Sequence, residues 1–110
     1  MSITSDMLRG HTETIILKSL ISGDSYGYEI NKAVQEKTKG LYELKEATLY
    51  SAFRRLEQGE YIASYWGDEN TGARRRYYSI TPLGKKLYEE NLQEWKEAKA
   101  MIEKLIGGKK

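Results

Sequence analysis

"EATLYSAFRRLEQGEYIASYWGDENTGARRRYYSITPLGKKL", residues 46–87, changes character twice, and the two changes decide the fold. Its first part repeats apolar residues at helical spacing. At about 100° per residue, Leu49, Ala52, Phe53 and Leu56 share one face of a helix, and Ala47, Tyr50, Ser51, Arg54 and Gln58 share the other. The pattern predicts a helix over Lys45–Gln58, with Gly59 as the left-handed residue that closes it. "YIASYW" and "ARRRYYSI" are then rich in β-branched and aromatic residues and flank the turn-prone "GDENTG" (67–72), which predicts a hairpin with a protruding tip. Thr81 and the sole proline, Pro82, finally supply an N-cap and a first helical residue.

Upstream, Leu8, Ile15, Ile16, Leu20 and Ile21 predict a first helix over Asp6–Ser22, ended by Gly23. A second begins at "GDSYGYEI", where Asp24 or Ser25 can cap it, and continues through Ile30, Ala33 and Val34 to Thr38, before Gly40. Downstream, Leu83, Leu87, Leu92, Trp95, Ala98, Ile102, Leu105 and Ile106 step by three or four residues, one apolar stripe along a long fourth helix. The order ααα-ββ-α is that of a mainly α (α+β) winged helix-turn-helix domain with an added C-terminal helix. The expected division is a winged domain over 1–81, a dimerisation helix over 82–106 and a tail, "GGKK", over 107–110.

Charge narrows the function. Eighteen basic against sixteen acidic residues leave a net +2, so any nucleic-acid surface must be local rather than a general basic coat. Such a surface exists: from Gly72 to Lys86 there are five basic residues, Arg74, Arg75, Arg76, Lys85 and Lys86, and no acidic one. Side chains alternate along a strand, so Arg74 and Arg76 leave one face and Arg75 the other, and no single core accommodates all three. A wing lying along DNA would set such residues against phosphates. The exposed face of the third helix combines small residues with hydrogen-bonding and cationic ones, as entry into a major groove requires. Either feature alone also fits a solvated helix face or a charged edge strand that resists aggregation, and a winged helix can serve as a protein-interaction scaffold. The coincidence of both favours double-stranded DNA.

Other chemistries lack their residues. There is no cysteine, and His11 is the sole histidine, with no clustered carboxylates beside it, so neither a metal site nor a nucleophile and base can be assembled. No phosphate-binding glycine loop is present, and "GDSYG" opens a helix with no preceding strand. The expectation is no catalytic residue, no metal and no cofactor. No apolar run approaches the roughly 20 residues of a membrane span, and the N-terminus lacks a signal peptide's apolar segment, which predicts a cytoplasmic protein without a membrane partner.

Residues 46–87 strongly resemble the PadR family of bacterial transcription regulators, most closely its small multidrug-responsive repressors, and "SYGYEI" (Ser25–Ile30) fits that family's second helix. The resemblance implies a winged-helix dimer whose third helix reads the major groove. Carried onto this chain, the DNA contacts would be Thr48, Tyr50, Ser51, Arg54 and Arg55 on the helix and Arg74 and Arg75 on the wing, with Lys45 adding a phosphate contact. Tyr61, Tyr65, Tyr77 and Tyr78 read as packing residues with one polar end.

The apolar stripe outruns what a small winged domain can cover, and a second copy of the same helix is the simplest cover. Leu83 and Leu87 are expected to face their own domain, and Leu92, Trp95, Ala98, Ile102 and Leu105 a homodimer partner. In the multidrug-responsive proteins that the chain resembles, a tryptophan at this point sandwiches planar aromatic drugs in a pore between the subunits. Trp95 would do so here, with Met7, Leu8, Ile15 and Leu92 around the ligand. Lys99, one turn on, would disfavour cationic compounds, and the same tryptophan would also fit as plain filling of the interface.

Overall fold

The computed structural model describes residues 8–67 and 74–107, so Met7, most of the hairpin tip and the last three residues lie outside the described residues. The elements are α1 (Thr12–Ile21), α2 (Gly27–Lys37), α3 (Glu46–Gln58), β1 (Ile62–Trp66), β2 (Arg76–Ile80) and α4 (Pro82–Ile106). The apolar face predicted for the third helix is buried in full. Leu49, Ala52, Phe53 and Leu56 are at most 3% exposed and pack with Ile16, Leu17 and Leu20 of α1, Ile30 and Val34 of α2, and Ile62 and Tyr78 of the hairpin. Phe53 lies flat on Tyr78, with ring centroids 3.9 Å apart and planes 14° from parallel, which fastens α3 to the sheet.

β1 and β2 pair antiparallel from Ile62 opposite Ile80 to Trp66 opposite Arg76. A single rung between Ser25 and Tyr78, with N–H···O distances of 3.2 and 2.8 Å, adds a third strand only one residue long. That rung moves the start of α2. Ser25 is drawn into the sheet rather than capping, the N-cap is Tyr26, and the Ser25 hydroxyl instead donates to Glu29 at 2.5 Å. Between α2 and α3 the Asn31 side chain brackets Leu44, donating to its carbonyl at 2.9 Å and accepting from its amide at 2.8 Å. This pair satisfies a buried backbone unit and sets the entry of α3.

Three further expectations are corrected. The first helix does not run unbroken to Ser22: a turn at Gly10 and His11, closed by the His11 amide on the Leu8 carbonyl at 2.9 Å, separates Leu8 and Arg9 from α1. The buried Thr12 hydroxyl holds that turn by donating to the Arg9 carbonyl at 3.1 Å. At the end of α3 the left-handed residue is Glu60, with φ 65°, and Gly59 has φ −84°. Gly59 is required for space instead, because a Cβ there would stand 2.5 Å from the Tyr61 ring.

Leu83 is 47% exposed and does not face the domain, whereas Leu87 and Tyr88 pack against the core. α4 begins as expected, Thr81 accepting from the Gly84 amide at 3.0 Å ahead of Pro82. Its contact with the domain is made through Gly84, where a Cβ would lie 2.1 Å from the Tyr61 carbonyl oxygen, and through Asn91, which donates to Thr14 at 2.9 Å. From Gln93 onward every described residue of α4 is exposed.

Gly84→Ala should therefore destabilise the fold by about 1–3 kcal/mol, the range for overpacking against an unyielding backbone. Thermal unfolding will read this as a lowered midpoint, and an unchanged midpoint would contradict the close approach of α4 to Tyr61.

Candidate nucleic-acid interface

The outward side of α3 carries Lys45, Ala47, Thr48, Tyr50 and Arg54 exposed to solvent, with Ser51 partly covered. They are free to be there because the other side of the helix is fully spent on the core. Arg54 pairs with no carboxylate among the described residues. Two predicted contacts are already engaged within the chain. Arg55 donates from Nε to Glu13 of α1 at 2.7 Å and from Nη1 to the Ser51 hydroxyl at 3.0 Å, bracing α3 against α1. Tyr50 sets its ring edgewise to Phe53 and its hydroxyl against Gly27, at the start of α2, where an added Cβ would come within 2.7 Å.

The hairpin sorts its arginines as strand alternation requires. Arg74 and Arg76 lie over the Trp66 ring, at 4.8 and 5.8 Å, and Arg75 lies over Tyr26 at 4.8 Å. Arg76 turns back toward α3, reaching Ser64 at 2.9 Å and Glu57 at 3.4 Å, and Ser64 itself donates to Glu57 at 2.5 Å. The opposite face of the sheet carries a row of tyrosines. Tyr77 stacks on Tyr65 with centroids 5.7 Å apart and meets Tyr26 edgewise at 5.3 Å, and the Tyr65 hydroxyl donates to Asp24 at 2.6 Å. Tyr65 thus packs with its polar end partnered. Sequence reasoning gave Trp66 and Glu57 no role and Asp24 only that of a helix cap.

A second feature is a groove of about 420 Å³ between α1, α2 and α4. Its walls bring together Leu8, Ile15, Leu92 and Trp95, four of the five residues predicted around a ligand; Met7 lies outside the described residues. His11, Lys18 and Lys37 also line it, which the sequence did not reveal because they converge only when α1 packs on α2. Lys99 sits over the Trp95 ring at 5.3 Å. Ala98, Ile102 and Leu105 do not line the groove and are exposed. Among the described residues no group of His, Cys, Asp and Glu is arranged to hold a metal, and no helix is long and apolar enough to cross a membrane.

Comparison with known proteins adds the following. The sequence profile of the transcriptional regulator PadR-like family matches residues 16–90. A protein of Lysinibacillus sphaericus known only as uncharacterized protein X is 43% identical over 106 residues, 96% of this chain and 97% of that one. Among solved structures, a transcriptional regulator from Clostridium thermocellum is 54% identical and superposes with a TM-score of 0.87 over 94% of this chain and 98% of that one. A PadR family transcription regulator from Clostridium difficile is 36% identical, with a TM-score of 0.74 over 87% and 98%.

The wing's anchorage on Asp24 can be read directly. Its hydrogen bond to Asp24, then burial and the repulsion of that carboxylate and of Tyr77, raise the Tyr65 phenol above the ordinary 10.0. The bond favours the protonated phenol, so its contribution is complete below pH 10 and lost as pH climbs through the raised value. In an NMR titration the Tyr65 ring should turn over later than an unhindered tyrosine, and Asp24→Asn should return it toward 10.0. A midpoint unmoved by that change would remove the anchor.

Proposed function

Since this chain belongs to the PadR-like family of transcriptional regulators, we propose that it is a homodimeric repressor that reads a near-palindromic operator with α3 and grips flanking phosphates with its wing. The observation that carries this reading is the joining of two surfaces. Glu57, near the end of α3, is tied to Ser64 and Arg76 of the wing, which supports reading the polar face of α3 and the basic wing as one surface. Thr48, Ser51 and Arg54 are the base-reading candidates, with Tyr50 and Arg55 at the edge, and Lys45, Arg74 and Arg75 serve phosphates.

The exposed end of α4 supports the dimer. Trp95, Met101, Ile102, Leu105 and Ile106 are between 44% and 79% exposed, an apolar strip that a second α4 would cover. In such a dimer the two α3 helices would lie about one DNA turn, roughly 34 Å, apart. The groove beside Trp95 supports a planar aromatic ligand that releases the operator, as in the multidrug-responsive branch of the family.

A salt-titrated binding assay on DNA from upstream of the gene, against a scrambled duplex, tests the reading. Arg54→Ala should cost about 1–3 kcal/mol on the operator and relax its sequence preference. Arg75→Ala should weaken both duplexes alike and reduce the slope of log K against log salt by about 0.9. Unchanged affinity in both variants would refute the surface. Trp95→Ala should abolish ligand quenching of tryptophan fluorescence while leaving a dimer that binds DNA; quenching that survives would refute the groove as the ligand site.

A further inference from the structure

One large side chain is accounted for neither by the core nor by the interface just described. Trp66 ends β1, is 53% exposed and lies outside the core cluster. Its ring carries two guanidiniums, and the two have different fates. Arg76, its partner across the ladder, is fastened to Ser64 and to the Glu57 carboxylate of α3. Arg74, closer to the ring at 4.8 Å, pairs with no carboxylate among the described residues. A chain of contacts thus runs from α3 outward: Glu57, Arg76, Trp66, Arg74.

An arginine loose on its stem gives up rotamer freedom when it meets a phosphate. A guanidinium already stacked on an indole has surrendered part of that freedom, while its edge N–H groups remain available for a bidentate contact. Arg76, by contrast, already spends its Nη2 on Ser64 and on the Glu57 carboxylate, which offsets part of its charge.

We propose that Trp66 is a positioning residue: its ring presents Arg74 to a DNA phosphate, and the Glu57–Arg76 pair holds the ring at a set distance from α3. This rests on the wing being a DNA-binding surface. It assigns Arg76 to structure and Arg74 to contact, and it makes the spacing between base reading and phosphate grip a property of one side-chain stack.

The test combines binding and fluorescence. Trp66→Leu should lower affinity for operator and scrambled duplex alike by about two- to fivefold, the factor of an exposed cation–π contact, and reduce the salt slope as Arg74→Ala does. Trp66→Phe, which keeps an aromatic face, should restore most of that loss, and the Trp66→Leu/Arg74→Ala double variant should be no weaker than Arg74→Ala. A slope that holds in Trp66→Leu while its melting temperature falls would reduce Trp66 to hairpin packing and overturn the proposal. Additive losses in the double variant would overturn it too, by making Trp66 an independent contact. An unchanged slope in Arg74→Ala would instead strike at the wing as a DNA surface. Without DNA, Trp95→Phe leaves Trp66 as the single tryptophan of the two in the chain. Adding Arg74→Ala to that background should uncover the ring and increase its quenching by acrylamide, and unaltered quenching would show that no stack exists, whatever the DNA results.

Discussion

Phe53 and Tyr78 meet face to face at 3.9 Å, and most of the molecule is arranged around that contact. Phe53 is the centre of the buried side of α3, so it dictates which side of that helix points outward. Tyr78 belongs to β2 and, through its backbone rung with Ser25, also ties the start of α2 into the sheet. One pair of rings therefore orients three elements: the helix with the polar face, the hairpin with the arginines, and the helix that precedes them both. A register shift of one residue in β2 would turn Tyr78 out and bring Tyr77 or Ser79 inward, exchanging the two faces of the wing.

What was legible in the sequence was whatever depends on period. The buried quartet of α3 follows from 3.6-residue spacing. The separation of Arg74 and Arg76 from Arg75 follows from strand alternation, and the structure has them over different rings. The cap at Thr81 was legible because Thr-Pro has one local meaning there. What escaped depends on contacts between distant positions. Ser25 looks like a helix cap until β2 pairs with it, and Gly59 looks like a left-handed residue until the Tyr61 ring is seen to need the space. The family resemblance offers Arg55 as a DNA contact, and no pattern in the chain showed that its Nε is directed to Glu13, 42 residues earlier. The basic lining of the groove is of the same kind: Lys18 and Lys37 stand on different helices and have no common pattern in the chain.

Near-neutral total charge sharpens the electrostatics. With a net +2, the chain as a whole carries little charge, and its positive charge is concentrated where acidic residues are scarce. The arginines of α3 and the wing are not equivalent. Arg55 and Arg76 are tethered to carboxylates, which restrains them and cancels part of their charge, while Arg54 and Arg74 pair with no carboxylate among the described residues. Acidic residues therefore act here as selectors among cations rather than as a uniform opposing charge.

α4 is one uninterrupted helix of 25 residues, about 37 Å at 1.5 Å per residue, rooted where Gly84 touches the backbone of Tyr61. That makes it a lever with its fulcrum in the winged domain. The domain holds it as far as Asn91, so the free arm from Gln93 to Ile106 is about 21 Å long, and a tilt of about 5° displaces its end by roughly 2 Å. In the proposed dimer, mechanical advantage of this kind would make a small wedge beside Trp95 and a change in the span between the two winged domains one and the same event.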